Sequence, residues 1–163
     1  MPIWVCRTGS HGQHENLFFE SNCICLTRDG FDFDLSKCEK TDIESRIIEL
    51  NPDAARQTIS NTWSQINIFA EKMSIGDVVI IPKKGSSKIN VAIIQGNYVY
   101  DMEQQFPLNH QRTIKVHAKD VDTTTFNQSL RHSLGAFRTV FQAKKEEQLL
   151  EELRKVRVCI DEV

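Results

Sequence analysis

Short apolar runs dominate the chain. Ile3-Trp4-Val5-Cys6 opens as a strand, and Asn22-Cys23-Ile24-Cys25-Leu26 reads as a second, broken by Asp29-Gly30. Val78-Val79-Ile80-Ile81 is apolar at every position, the pattern of a strand buried on both faces. The flexible, basic Lys83-Lys84-Gly85-Ser86-Ser87-Lys88 segment turns it into a returning strand, Ile89 to Ile94. Tyr98-Val99-Tyr100 sets both tyrosines on one side. Arg112 to His117 alternates as a further strand, and Thr139-Val140-Phe141-Gln142 makes the last.

Helical spacing is rarer. Glu15 to Glu20 predicts one short helix. Thr41-Asp42-Ile43-Glu44 has the form of a capping box, leading a stripe of Ile43, Ile47 and Leu50 that ends before Pro52. From about Ser60 to Met73, the residues Trp63, Ile66, Phe69, Ala70 and Met73 share a face, and Gly76-Asp77 follows. Leu130 to Leu134 predicts a short helical or irregular turn. Lys144 to Val163 is dense in charge, with Leu149, Leu153, Val156, Ile160 and Val163 spaced by four and three residues. That seam predicts a helix that docks on the body, pairs with a second copy, or leads to another domain. About six strands with few helices are too irregular for βαβ units. They predict an α+β fold, a strongly bent sheet or small barrel over residues 1–143, with helices outside and a connector or docking helix over 144–163.

At 163 residues the chain is the size of one domain. It has no apolar run near the roughly 20 residues needed to cross a bilayer and no signal-peptide pattern, so a cytoplasmic protein without membrane contact is expected. Its five cysteines are odd in number and irregularly spaced, which suits reduced thiols. Cys23 and Cys25 fall on one strand face, but no further ligands stand at metal spacing; neither metal nor cofactor is implied. The formal net charge is −2, with a pI near 6.2. General polyanion binding, which rests on Lys and Arg displacing counterions, is thereby excluded. Any nucleic-acid contact must be local or shared with another domain.

Candidate chemistry gathers in two places. Asn61 and Gln65 lie one turn apart on a helix face, and paired amides offer the donors and acceptors that read a base edge. Trp63 between them belongs to the apolar face, where core packing is its plainest role. The Arg7-Thr8-Gly9-Ser10-His11-Gly12 loop follows Trp4, and its glycines permit close backbone approach to a ligand. It lacks the lysine and spacing of a phosphate-binding loop, and no HExxH or GxSxG motif occurs anywhere. One enzymatic pattern is present: Asp120 and Asp122 upstream of Gln142-Ala143-Lys144, the acid and Gln-x-Lys arrangement by which some restriction nucleases hold Mg²⁺.

Taken in order, Trp4…Arg7-x-Gly9, Asn61-x-Trp63-x-Gln65-x-x-x-Phe69, Gly76-Asp77-Val78-Val79, Gly96-x-Tyr98-x-Tyr100 and His110-x-Arg112 carry a resemblance. They look like the N-terminal specificity domain found in front of Mrr-type restriction endonucleases, itself similar to the PUA-like superfamily with its EVE, ASCH and YTH domains. The resemblance spans about residues 2–143. It implies a bent barrel whose pocket receives a flipped, modified base in DNA, of the 5-methylcytosine or N6-methyladenine class. It further implies a non-catalytic reader that directs a nuclease domain or subunit in defence; an RNA-binding PUA-like domain is the alternative. The residues it implies for the base are Trp4, Arg7, Thr8 and Gly9 on one side and Asn61, Trp63 and Gln65 on the other. Lys83, Lys84, Lys88 and Arg112 are the expected phosphate contacts.

Overall fold

The computed structural model describes residues 2–135 and 138–155. Its strands are β1 (Ile3–Cys6), β2 (Cys23–Cys25), β3 (Val78–Pro82), β4 (Lys88–Ile94), β5 (Val99–Tyr100), β6 (His110–Asp122) and β7 (Val140–Gln142). Its helices are α1 (Glu15–Ser21), α2 (Lys40–Leu50), α3 (Arg56–Asn67), α4 (Gln128–Leu134) and α5 (Glu146–Lys155). A single 3-10 turn, Leu35–Lys37, precedes α2, and a π segment, Ile68–Lys72, continues α3.

Six strands run in the order β2-β6-β4-β3-β1-β7, with the two-residue β5 pairing with β6 off this path. Among the described residues β1 with β3 is the one parallel pair; a strand pair of that kind needs a long crossover, and residues 7–77 supply it with three helices. The sheet curls into a half-barrel. β6 spans 13 residues, pairs with β2 and β5 through its first part and with β4 through the rest, and meets β4 across irregular register at Ile89/Val91 and Val91/Ala92. Such irregularities bend a strand and increase its twist.

Alternation along these strands builds two cores. Trp4, Cys6, Val79, Ile81, Ala92 and Ile94 face the first, where Phe18 of α1, Ile43 and Ile47 of α2, Ile66 of α3 and Phe69 close over them. Ile3, Val5, Val78, Ile80, Val91 and Ile93 face the second, covered by Leu130 and Leu134 of α4 and Leu149 and Leu153 of α5. The apolar runs are continuous because both faces of the central strands are covered.

Three helix ends differ from expectation. α2 begins at Lys40, where the Asp42 carboxylate accepts from the Glu39 amide at 3.0 Å, so Thr41 lies inside the first turn and caps nothing. α3 begins at Arg56, four residues before Ser60, because nothing in Arg56-Gln57-Thr58-Ile59 breaks a helix. Asn61 is therefore interior. At the far end, the Met73 amide reaches the Ile68 carbonyl at 3.1 Å, a π step that spacing alone does not announce. In the C-terminal seam, Leu149 and Leu153 are fully buried in the second core, so this part of the helix docks on the body. Val156, Ile160 and Val163 lie outside the described residues. Among the described residues no helix is long and apolar enough to cross a membrane.

Candidate nucleic-acid interface

The loop after β1, the β3–β4 hairpin and α4 meet around a cleft of about 450 Å³. Gly12 makes the approach of the loop to the hairpin possible. Gly9 holds φ +112°, and Gly12 holds φ +68° with its missing side chain 2.6 Å from where Lys84 Cβ stands. Gly12 thus seats the loop against the hairpin, whereas Gly9 makes room for the Gln13 side chain within the loop. Thr8 is buried, its carbonyl accepting from the His14 amide at 2.9 Å. The cleft is lined by Arg7, Lys83, Lys84, Lys88 and Arg131, with Thr123 between them, and by no acidic residue. Lys83 makes one exposed ion pair, with Asp120 at 3.3 Å. The Arg7 guanidinium is half-buried and donates to the Leu134 carbonyl at 3.0 Å, while its Nε is buried without a partner. Burial pulls its pKa below the ordinary arginine value. Among the described residues no carboxylate offsets it.

The other expected residues take different places. Trp4 is buried in the first core, its indole N–H donated to Asp77 Oδ2 at 2.8 Å. Gln65 is only 4% exposed, and its Oε1 accepts from the Thr139 amide at 3.0 Å, the Thr139 hydroxyl at 2.9 Å, the Val140 amide at 3.4 Å and Arg28 at 3.3 Å. One carbonyl oxygen thus ties α3 to the start of β7. Asn61 is partly exposed; its Oδ1 accepts from Gln57 at 3.0 Å and from Arg138 at 3.5 Å. Trp63 packs half-buried on the first core with the Lys40 ammonium 4.2 Å from its ring centre. Trp4 and Gln65 are therefore engaged inside the protein, whereas Asn61 and Trp63 keep open surface.

Arg112, expected at a phosphate, is buried instead. It is 3% exposed, and donates from Nε to the Phe69 carbonyl at 2.7 Å and from its two NH groups to Ala70 at 3.2 Å and Gly96 at 3.3 Å. The π segment frees the Phe69 and Ala70 carbonyls at its C-terminal end, where a cation is favoured, and burial keeps a phosphate from this guanidinium. The nuclease constellation is dispersed as well. Asp122 ends β6, Gln142 lies on β7, and β4, β3 and β1 stand between them in the sheet. Gln142 donates to Glu146 at 2.8 Å on an exposed surface. Among the described residues no cluster of His, Cys, Asp or Glu is arranged to hold a metal ion. Cys23 and Cys25 do share a face, their sulfurs 3.8 Å apart in the first core beside Cys6, whose thiol burial pushes up to about 12. Cys159 lies outside the described residues.

Residues 4–143 match the family described as a domain of unknown function, DUF8426. The chain belongs to that family. No curated protein matches it. The DUF8426 match runs from Trp4 through β7, so it contains the whole cleft and both faces of the sheet, and α5 follows it in sequence while packing into the second core.

Three cations in this DUF8426 domain escaped the sequence reading: Arg28, Arg131 and Arg138. Arg131 lines the cleft from α4. Arg28 and Arg138 donate to Gln65 and Asn61. No motif marks them; each is a lone arginine in a loop or short helix, brought into place by contacts far apart in the chain. The one available signal was the pairing of polar α3 positions with something cationic, since buried amide oxygens demand donors.

Proposed function

We propose that this domain is a nucleic-acid-binding module, non-catalytic in itself, that reads a modified base in DNA and directs a nuclease partner. The observation that carries the reading is the cleft: five cations from three segments and no acid lining it, on a chain with 22 acidic and 20 basic residues. Such local concentration is what phosphate neutralisation requires when net charge gives no help. The curled sheet flanked by helices is compatible with the PUA-like resemblance. Asn61 and Trp63, the open members of the α3 group, supply an edge-reading amide and a stacking surface for a base removed from its stack.

Fluorescence anisotropy tests this with duplexes that differ by one 5-methylcytosine or N6-methyladenine, and with the matching RNA, at stated salt. The expected result is preference for one modified DNA, lost in Trp63→Ala and Asn61→Ala, and weaker binding to every oligonucleotide in Lys84→Gln. Equal affinity for modified and plain DNA would remove base reading; tighter binding to the RNA would replace DNA by RNA as the ligand.

A further inference from the structure

Four buried side-chain polar atoms lack a hydrogen-bond partner among the described residues: Arg7 Nε, Thr27 Oγ1, Arg28 Nε and Asn109 Oδ1. Two of the four belong to arginines whose hydrogen bonds lead to one place, the start of β7. The Arg7 amide donates to the Thr139 carbonyl at 2.7 Å, and the Thr139 amide and hydroxyl donate to Gln65 Oε1, which also receives Arg28. Arg7, through its backbone amide, and Arg28, through Gln65, are therefore both tied to the junction where β7 begins. Arg138 stands one residue before that junction and reaches Asn61 at 3.5 Å. Buried donors without acceptors are uncommon in folded proteins and call for an explanation. Two of them, Arg7 Nε and Arg28 Nε, belong to guanidinium groups that, among the described residues, have no carboxylate within ion-pair distance.

An arginine kept half-buried and unpaired costs stability, because removing its charge from water is offset only by carbonyl and amide oxygens. Arg28 shows that cost: burial pulls its pKa below the ordinary value, and no neighbouring acid opposes the shift. Gln65 and Asn61 hold the Arg28 and Arg138 guanidinium groups by single oxygen contacts, which leaves most of their five donors each unclaimed. Planar donor forks of this kind match phosphate oxygens.

We propose that Arg28 and Arg138 form a second phosphate subsite, joined to the basic cleft through Arg7. The ligand is then a nucleic-acid strand whose backbone contacts both, rather than a mononucleotide held in the cleft alone. This rests on the nucleic-acid reading above and adds to it the class of ligand and two residues that set it. The strand passes the start of β7, with Asn61 beside its far end.

The test compares a fluorescein-labelled DNA strand of about twelve nucleotides with thymidine monophosphate as a competitor, over a range of salt. For the strand, Arg138→Gln and Arg28→Gln are each expected to weaken binding and to reduce the slope of log K against log salt by about 0.7, the value for one single-strand phosphate contact. Arg28→Lys is expected to restore most of the slope. Competition by the mononucleotide, read at the cleft, is expected to change in Lys84→Gln and not in Arg138→Gln. Thermal melts identify any variant that fails to fold; if Arg28→Gln does, Arg138→Gln decides, since its side-chain contact is one long bond to an exposed amide. Unchanged slopes in Arg138→Gln, with a reduced slope in Lys84→Gln, would overturn the second subsite and leave the nucleic-acid reading standing. Absence of strand binding in the wild type would overturn both.

Discussion

His110 stands at the centre of a relay that fixes its tautomer. The Phe31 carbonyl can only accept, so His110 Nε2 donates to it at 2.5 Å. Nδ1 is then an acceptor and receives a hydrogen bond from the Tyr98 hydroxyl at 2.7 Å, while Tyr98 itself accepts from the Leu35 amide at 3.1 Å. Tyr98 and Tyr100 pack their rings at 5.9 Å and 5.1 Å from the imidazole, so the expectation that both tyrosines share a side has a physical reason. Burial lowers the His110 pKa, only partly opposed by the Phe31 hydrogen bond. The unfolded chain, with a histidine pKa of about 6.5, then binds more protons than the folded one in the window beneath that value. Stability is accordingly whole above about pH 6.5 and falls as pH drops below it. Urea unfolding between about pH 7.5 and 5.5 is expected to show this decline in the wild type and a shallower one in His110→Gln. Parallel curves for the two proteins would sink the assignment. The same kind of reasoning shows why the candidate site was only partly legible. Sequence named the residue types with the right chemistry, and Arg7, Lys83, Lys84 and Lys88 do meet in one cleft. It could not tell which groups the fold would consume: Asp77 claims Trp4, the start of β7 claims Gln65, and the π segment claims Arg112.

Elements were legible where burial alone decides them. The continuous apolar run of β3 announced a strand covered on both faces, and both coverings exist. Sheet order was not legible, because β1 lies between β3 and β7 through contacts more than 70 residues apart, and no local pattern encodes a partner at that separation. Helix ends were the other gap, since caps shift by a few residues without changing the apolar stripe. α5 is the element whose role the sequence left open. Its Leu149 and Leu153 are fully buried against the second core, beneath which lie β1 and β3. Docking of this kind makes the helix part of the folding unit. Leu149→Ala is expected to lower unfolding stability by about 2–5 kcal/mol, the cost of a cavity in a packed core. Chemical denaturation at two protein concentrations separates the alternatives: a midpoint that shifts with concentration would assign the leucines to contacts between copies.

At the scale of the whole molecule, charge is distributed so that a weakly acidic protein carries a locally basic face. The cleft lies among residues of the second core, with Ile89 and Leu134 on its walls, whereas α2 packs over the first core on the opposite face of the sheet. Glu44 and Glu49 are carried by α2, on the first-core side of the sheet, and neither lines the cleft. At physiological salt the screening length is about 8 Å, shorter than the spacing of two packed layers, about 10 Å. Two pairs of substitutions then distinguish local from global electrostatics. Glu44→Gln with Glu49→Gln removes two negative charges and takes the formal net charge from −2 to zero. Lys84→Gln with Lys88→Gln removes two positive charges and takes it from −2 to −4. If net charge governed binding, the first pair would strengthen it about as much as the second weakened it. With the cleft in control, anisotropy titrations of a duplex at about 0.15 M salt are expected to show less than about a twofold change for the glutamate pair and a loss of about tenfold or more for the lysine pair. Equal and opposite shifts would mean that the cleft adds nothing beyond its contribution to the total, and the proposed interface would then have no location on this fold.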